Sequence, residues 1–189
     1  MSTVLIVYLC MLVVVALQRR RQLSVANENA DLMRILGAEE VTPDYYPLLS
    51  RLHLALLVSC AGEAILRGES PSLWVMASGL SGLWLAQWLR SASIRALGPR
   101  WTLRIVVMPK LPRVTSGVYR WIRHPDSLGV SLEAVALPLI FGGSVTAIGF
   151  GVVTIGLLWF VRIPAEEAAL VRVNDYAAYR DGQRDFASH

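Results

Sequence analysis

Long apolar stretches alternate with polar connections along the chain. Three of the stretches cover residues 2–18, 48–66 and 72–89. A fourth, residues 128–161, is too long for one membrane helix and is interrupted by a turn-forming Phe-Gly-Gly-Ser segment. Because about 17–25 apolar residues span a bilayer as a helix, we predict five transmembrane helices. Their expected limits are residues 2–18, 48–66, 72–89, 128–141 and 144–161, and the last two form a helical hairpin.

Composition supports the membrane assignment. Of the 189 residues, 54% are hydrophobic and 17% are charged. Soluble domains have about 45–50% apolar and about 25% charged residues. The length suits a single domain over residues 1–189. The sequence therefore predicts an all-α integral membrane protein.

The basic residues predict an orientation. The segment from Arg90 to Ser127 contains eight Lys or Arg residues and one acidic residue, and residues 19–21 are all arginine. The connections at 67–71 and 142–143 contain one basic residue and none. Since an excess of Lys and Arg marks cytoplasmic loops, the N-terminus should lie outside and the C-terminus in the cytoplasm. The net charge of +4 then reflects topology, and no nucleic-acid-binding motif is present.

Cysteine and histidine usage excludes other classes of site. The two cysteines lie far apart in apolar segments, which is not the pattern of a disulfide framework. The three histidines are scattered without the spacing of metal ligands. We therefore expect no metal centre.

A polar loop precedes the fourth predicted helix, in the sequence Tyr-Arg-Trp-Ile-Arg-His-Pro. Pro125 disfavours helix at His124, so the helix should start just after it. A helix N-terminus beside Arg120, Arg123 and His124 favours an anionic group such as a carboxylate. A basic belt against lipid headgroups would also explain the arginines, but it would not explain the proline and the histidine.

Four charged or histidine residues lie within the predicted membrane helices: Arg51, His53, Glu63 and Glu133. Arg51 can reach the cytoplasmic interface, and Glu63, near the far end, is expected to be structural. A carboxylate such as Glu133 costs about 2.5–3.5 kcal/mol at a helix centre, so it should face protein or a polar cavity. Glu133 could line a substrate pocket or be a structural partner of an arginine or histidine. His53 poses the same alternative, and a structural histidine is the commoner case.

The C-terminal segment, residues 162–180, reads as a cytosolic amphipathic helix and tail. Pro164 suits a first helical turn, and Glu166 and Glu167 complement the helix dipole there. With Tyr176 and Tyr179, these carboxylates could bind a cationic, aromatic ligand. Taken alone, these residues are better explained by a plain amphipathic surface helix.

Taken together, the motifs resemble the isoprenylcysteine carboxyl methyltransferase family. The similar segments are Ser-Ile-Arg-Ala-Leu-Gly-Pro-Arg-Trp from residue 93, the Arg-His-Pro loop within residues 117–133, and the Glu-Glu and Tyr-x-x-Tyr pattern within residues 162–180. Two positions depart from the family pattern. Val118 replaces a proline, and Ser127 replaces a tyrosine.

The resemblance implies S-adenosylmethionine as methyl donor, bound on the cytoplasmic side by the loop and the C-terminal helix. Arg162, Glu166 and Glu167 are the expected catalytic residues. Glu133 and His53, from their positions within the membrane helices, are the expected contacts of the acceptor. The expected cofactor-binding residues are Tyr119, Arg123, His124, Pro125, Gly129, Glu167, Tyr176 and Tyr179.

The resemblance also limits the acceptor to a lipophilic molecule. The N-terminal half is similar to a bacterial branch associated with type III polyketide synthases, which implies the inner membrane and a long-chain alkylpyrone or alkylresorcinol oxygen. An isoprenylcysteine-type carboxylate is the other O-methylation candidate. The remaining alternatives are an amine-lipid methyltransferase, a sterol-reductase-like NADPH enzyme and a non-enzymatic membrane scaffold.

Overall fold

The computed structural model describes residues 2–41, 46–69, 71–109, 111 and 114–174. Helices form almost all of the regular structure in this part of the chain. A two-stranded antiparallel pairing joins β1 (Glu39–Glu40) to β2 (Val106–Val107). The helices are α1 (Thr3–Ile35), α2 (Tyr46–Arg67), α3 (Leu73–Leu97), α4 (Pro125–Leu139), α5 (Ser144–Leu157) and α6 (Ile163–Asn174).

Helix α1 extends well past the first predicted span. Its 33 residues correspond to about 50 Å at 1.5 Å per residue, whereas a bilayer core is about 30 Å thick. The first part contributes Leu5, Tyr8, Leu12 and Val15 to the main core. The last part contacts the loop after α3, where Asn29 donates a hydrogen bond to the Trp101 carbonyl at 2.8 Å. The helix therefore connects the membrane core to the polar end of the molecule.

The C-terminal helix is not a separate element. A π-helical segment, Leu158–Arg162, joins α5 directly to α6, and Ile163 donates its N–H to the Leu158 carbonyl. The i→i+5 pattern absorbs an extra residue just before Pro164, so the proline does not interrupt the rod. The amphipathic helix expected from Pro164 is thus a continuation of α5, and Pro164 lies in the first turn of α6, as predicted.

Three of the described helices are long and apolar enough to cross a membrane: Thr3–Ile35, Leu48–Arg67 and Ser144–Val173. The other two predicted spans differ in character. Helix α4 has 15 residues, or about 22 Å, and α3 carries Gln87 and Arg90 in its second half.

The turn between α4 and α5 lies on the Phe-Gly-Gly-Ser segment. Gly142 has φ +73°, and Gly143 donates its N–H to the Pro138 carbonyl at 2.9 Å. From α2, the Glu63 carboxylate accepts the backbone N–H of Thr146 at 2.9 Å and that of Val145 at 3.3 Å. These bonds satisfy donors that a helix N-terminus leaves without partners. Glu63 is therefore a structural residue that fixes the hairpin on α2.

Helices α3 and α4 approach each other through glycines. A Cβ at Gly79 would lie 2.7 Å from the backbone nitrogen of Ile140, and one at Gly82 would lie 2.8 Å from Ala136 Cβ. Small residues of this kind permit close packing of membrane helices. The contact fixes the position of α4, whose first turn begins the candidate site.

We predict that Gly79→Ala destabilises the protein, because the clash is with backbone that cannot rotate away. Overpacking of this kind typically costs about 1–3 kcal/mol. The matched control is Gly149→Ala in α5, where an added Cβ meets nothing within 4 Å. Thermal unfolding in detergent should show a lower Tm for Gly79→Ala only. Equal behaviour of the two variants would contradict the close α3–α4 packing.

Candidate functional site

The polar loop ends in a short 3-10 turn and the start of α4. The turn spans Gly117–Arg120, and Gly117 has φ +61°, a conformation that favours glycine. Helix α4 begins at Pro125, and the His124 carbonyl accepts the N–H of Leu128 at 3.0 Å. Proline is suited to this first helical position because no intrahelical partner awaits its N–H. The loop thereby places the His124 side chain at the N-terminus of α4.

His124 meets Glu167 of α6. The distance between His124 Nε2 and Glu167 Oε1 is 3.2 Å. The His124 side chain is 13% exposed and that of Glu167 is 43% exposed. Residues separated by 43 positions thus form one polar pair, which is partly accessible to a soluble ligand. We call it the His124–Glu167 pair.

Other predicted ligand-binding residues lie close to His124 or Glu167 in the sequence. Tyr119 is half-buried, Arg123 is exposed and Pro125 is buried. Glu166 precedes Glu167 in the first turn of α6 and is half-buried. Tyr176 and Tyr179 lie outside the described residues.

Arg162 ends the π-helical segment. Its Nη1 donates a hydrogen bond to the Leu103 carbonyl at 2.8 Å. The side chain also lines a cavity between the helices. The structure therefore connects Arg162 both to the loop after α3 and to this cavity.

The interhelical cavity lies between α1, α2, α4 and the α5–π segment. Its walls are largely aliphatic, with leucines from four parts of the chain. Polar groups also reach it, including His53 of α2 and Asp126 and Ser127 of α4. The cavity thus extends from the middle helices to the first turn of α4, next to His124. Its lining residues are Arg19, Leu23, Leu49, Ser50, Leu52, His53, Leu56, Leu103, Asp126, Ser127, Val130, Ala134, Thr154, Leu158 and Arg162.

A buried ion pair lies behind the cavity. Arg90 Nη1 is 3.0 Å from Glu133 Oε2, and the two side chains are 1% and 2% exposed. Arg90 Nη2 donates to Gln22 Oε1 at 2.7 Å, and Arg90 Nε lies 3.7 Å from Asp126 Oδ1. Arg90 therefore joins α1, α3 and α4. The basic loop predicted to start at Arg90 is wrong at this position, because α3 continues to Leu97 and turns Arg90 inward.

His53 connects this ion pair to the cavity. Arg19 Nη2 lies 3.2 Å from His53 Nδ1, and His53 Nε2 lies 3.6 Å from Glu133 Oε1. An arginine N–H can only donate, so Nδ1 is the acceptor and the ring proton is on Nε2, facing the carboxylate. Two arginines, Arg19 and Arg90, then balance the carboxylates of Glu133 and Asp126. This polar group is electrically neutral when His53 is neutral.

Gly129 packs against α3. A Cβ there would lie 2.7 Å from Arg90 Cγ and 3.0 Å from the Ala86 carbonyl oxygen. The contact that the structure shows for Gly129 is thus a helix–helix contact, which brings α4 close enough for Arg90 to reach Glu133.

Sequence reasoning missed Arg19, Arg90 and Asp126 as members of the site. A signal for Arg90 was present, because the buried face of α3 repeats at helical spacing through Gly79, Leu83, Ala86, Arg90 and Ser93. Positions with this spacing share one side of a helix, so Arg90 belongs to the same inward face as Leu83.

Comparison with known proteins identifies the family. A model of the isoprenylcysteine carboxyl methyltransferase (ICMT) family matches residues 79–172, which include most of α3, the polar loop, α4, α5 and most of α6. Protein-S-isoprenylcysteine O-methyltransferase B of Arabidopsis thaliana is 30% identical over 139 residues, or 70% of each chain. The chain belongs to the ICMT family. It is a membrane methyltransferase.

Two further relatives match the chain. Protein-S-isoprenylcysteine O-methyltransferase A of Arabidopsis thaliana is 32% identical over 139 residues, covering 70% of each chain. The uncharacterized protein YpbQ of Bacillus subtilis (strain 168) is 31% identical over 161 residues, covering 85% of this chain and 94% of the relative. The alignment with YpbQ is long enough to include part of the N-terminal half, beyond the region that the family model matches.

Proposed function

We propose that this ICMT-family protein transfers a methyl group from S-adenosylmethionine to an oxygen of a lipophilic acceptor in the membrane. The observation that carries the proposal is the His124–Glu167 pair, since His124 lies two residues before Asp126, which lines the apolar interhelical cavity. A polar donor and an apolar acceptor need such neighbouring compartments. Positioning the two for in-line displacement would supply much of the catalysis.

The residues of the site suit the charges of S-adenosylmethionine, which supplies an activated methyl group on a sulfonium. Arg123 and His124 would bind its carboxylate at the N-terminus of α4. Glu167, and Glu166 beside it, would face its positive groups. Glu167 is 43% exposed, so a soluble ligand can reach it. In this proposal Tyr119 and Pro125 shape the pocket.

The proposal includes five membrane spans and a defined orientation in the membrane. All of residues 1–189 would form one domain, in which α3 and α4 cross the membrane beside the three long apolar helices to give five spans. The N-terminus would lie outside and the C-terminus in the cytoplasm of a bacterial cell. The exposed Trp121, over which Arg120 stacks at 5.1 Å, suits a membrane–water interface.

The acceptor would enter the interhelical cavity from the lipid. Its aliphatic lining suits an isoprenyl or alkyl chain, with the reactive oxygen directed toward the polar part of the lining, which includes Arg19, His53 and Arg162. An isoprenylcysteine carboxylate and a long-chain alkylpyrone or alkylresorcinol oxygen both satisfy this description. Amine lipids remain a second acceptor class for the same site.

Ligand-induced stabilisation separates a methyltransferase from a reductase that would bind NADPH. At 100 times its Kd, S-adenosylmethionine should stabilise the folded protein by about 2.7 kcal/mol. We therefore expect it to raise the Tm of the detergent-purified protein. NADPH should leave the Tm unchanged. Stabilisation by NADPH alone would replace the methyltransferase proposal with a reductase, and stabilisation by neither ligand would favour a scaffold.

A further inference from the structure

The inference concerns how the acceptor oxygen loses its proton, and it rests on the proposed function. A carboxylate acceptor with a pKa of about 4 is ionised at pH 7 and needs no base, whereas a phenol with a pKa of about 10 does. The presence or absence of a base in the cavity therefore bears on the acceptor. Among the described residues that line the cavity, His53 is the only histidine.

The geometry of His53 is that of a base supported by a carboxylate. With Arg19 donating to Nδ1, the ring proton is on Nε2, which lies 3.6 Å from Glu133 Oε1 without a hydrogen-bond partner in the described part of the chain. The lone pair is then on Nδ1. Glu133 is in turn held by Arg90 at 3.0 Å. A carboxylate this close to a buried imidazole favours the imidazolium that forms when Nδ1 takes a proton.

Nδ1 is occupied by a group that a substrate could replace. Its partner is Arg19, which also contacts Gln22 at 3.3 Å and lines the same cavity. An acceptor hydroxyl in the cavity could donate to Nδ1 in place of the guanidinium. Arg19 would then remain beside the oxygen and stabilise the negative charge that develops on it.

We propose that His53 is the general base of the reaction, with Glu133 and Arg90 as its positioning residues, and that the acceptor is therefore a weakly acidic hydroxyl on an apolar body. The proton passes from the acceptor oxygen to His53 Nδ1. The oxygen lone pair forms the new O–CH₃ bond, and the C–S electron pair of the donor stays on sulfur, which leaves as a neutral thioether. The imidazolium afterwards returns its proton to water.

A series of alkylphenols of equal chain length tests this role. One member has an unactivated hydroxyl, and another carries a nitro group that leaves it ionised at the assay pH. We expect His53→Gln to lower kcat on the unactivated phenol by about 10²–10⁴-fold, the usual contribution of a general base. On the ionised phenol the loss should be less than about tenfold, because that acceptor has no proton to give up.

Controls separate chemistry from structure. Arg51→Gln changes an exposed residue two positions away on α2 and should leave both rates unchanged. In donor-free protein, the absorbance of the ionised phenol should report the same Kd for His53→Gln and wild type. If His53→Gln does not fold, His53→Asn replaces it.

Three results would overturn the proposal. If His53→Gln lowers kcat equally on both phenols, His53 has a structural role. If it lowers kcat on neither phenol, His53 takes no part in the reaction. The third such result is that wild type binds S-adenosylmethionine but methylates only a prenylcysteine carboxylate, because that acceptor needs no general base. A different result would disprove the proposed methyltransferase function: wild type would neither bind S-adenosylmethionine nor methylate any acceptor.

Discussion

Substitution of His124 or Glu167 by alanine is expected to abolish efficient methyl transfer while the protein stays folded. Each side chain has a polar partner across the site at 3.2 Å, and each would bind a charged part of S-adenosylmethionine. A hydrogen bond to a charged group contributes about 1.5–3 kcal/mol, so the Kd for S-adenosylmethionine should rise roughly 10- to 100-fold in each variant. Isothermal titration in detergent measures the Kd, and the Tm without ligand reports the fold.

The matched control for Glu167→Ala is Glu39→Ala. Glu39 also forms a pair with a cation across elements, since Arg172 of α6 lies 3.3 Å away, but both side chains are more than half exposed. Loss of this surface pair should leave binding and transfer unchanged. Full binding and transfer in both His124→Ala and Glu167→Ala would show that the donor binds elsewhere.

Arg90→Met is expected to have the largest effect on stability. The substitution leaves the Glu133 carboxylate, which is 2% exposed, without its closest cation. Breaking a buried pair from one side costs about 3–5 kcal/mol, since an uncompensated charge remains. The Tm in detergent should fall by roughly 10 °C, given about 2–4 °C per kcal/mol for a chain of this size.

The double variant Arg90→Met with Glu133→Met shows whether the lost stability comes from an unpaired buried charge or from lost side-chain packing. Removing both charges should recover much of the lost stability, because no buried charge is left alone. Arg172→Met removes the exposed arginine of the Glu39 pair and should change the Tm little. A double variant no more stable than Arg90→Met would contradict the view that the Arg90–Glu133 charges determine the loss.

The sequence predicted the membrane class and the family well, because both depend on local patterns. Apolar length alone indicates spanning helices, and the Arg-His-Pro and Glu-Glu motifs are contiguous. Contiguous motifs also indicated where the polar site begins, since Pro125 fixes the start of α4 through its own covalent geometry. The functional roles of all the predicted site residues, His124, Glu167, Arg162, Glu133 and His53 among them, stay predictions.

Contacts between distant segments could not be predicted in the same way. Arg90 follows an apolar run and precedes other basic residues, so it reads as the first residue of a loop. Its inward direction depends on α3 continuing for another two turns and on Gly129 permitting α4 to approach. The direct junction of α5 and α6 could not be predicted for a similar reason, since a π-helical segment depends on packing such as the hydrogen bond from Trp159 Nε1 to Ser131 Oγ at 3.2 Å.

The interhelical cavity likewise arises from assembly. Its lining comes from α1, α2, α4, the loop after α3 and the α5–π segment, and no stretch of sequence contains more than a few of these residues. His53 and Glu133 were candidates for substrate contact, but their arrangement depends on Arg19 and Arg90, which a linear reading assigned to cytoplasmic ends.

Methyl transfer from labelled S-adenosylmethionine by the detergent-purified protein tests the central claim most directly. The acceptors, assayed in parallel, are a long-chain alkylpyrone, an alkylresorcinol, a prenylcysteine analogue and an amine phospholipid. We predict label on an oxygen of a lipophilic acceptor, and loss of that label in His124→Ala and Glu167→Ala but not in Glu39→Ala. No label on any acceptor, together with no S-adenosylmethionine binding, would contradict the account and leave the His124–Glu167 pair with a structural role in a membrane scaffold.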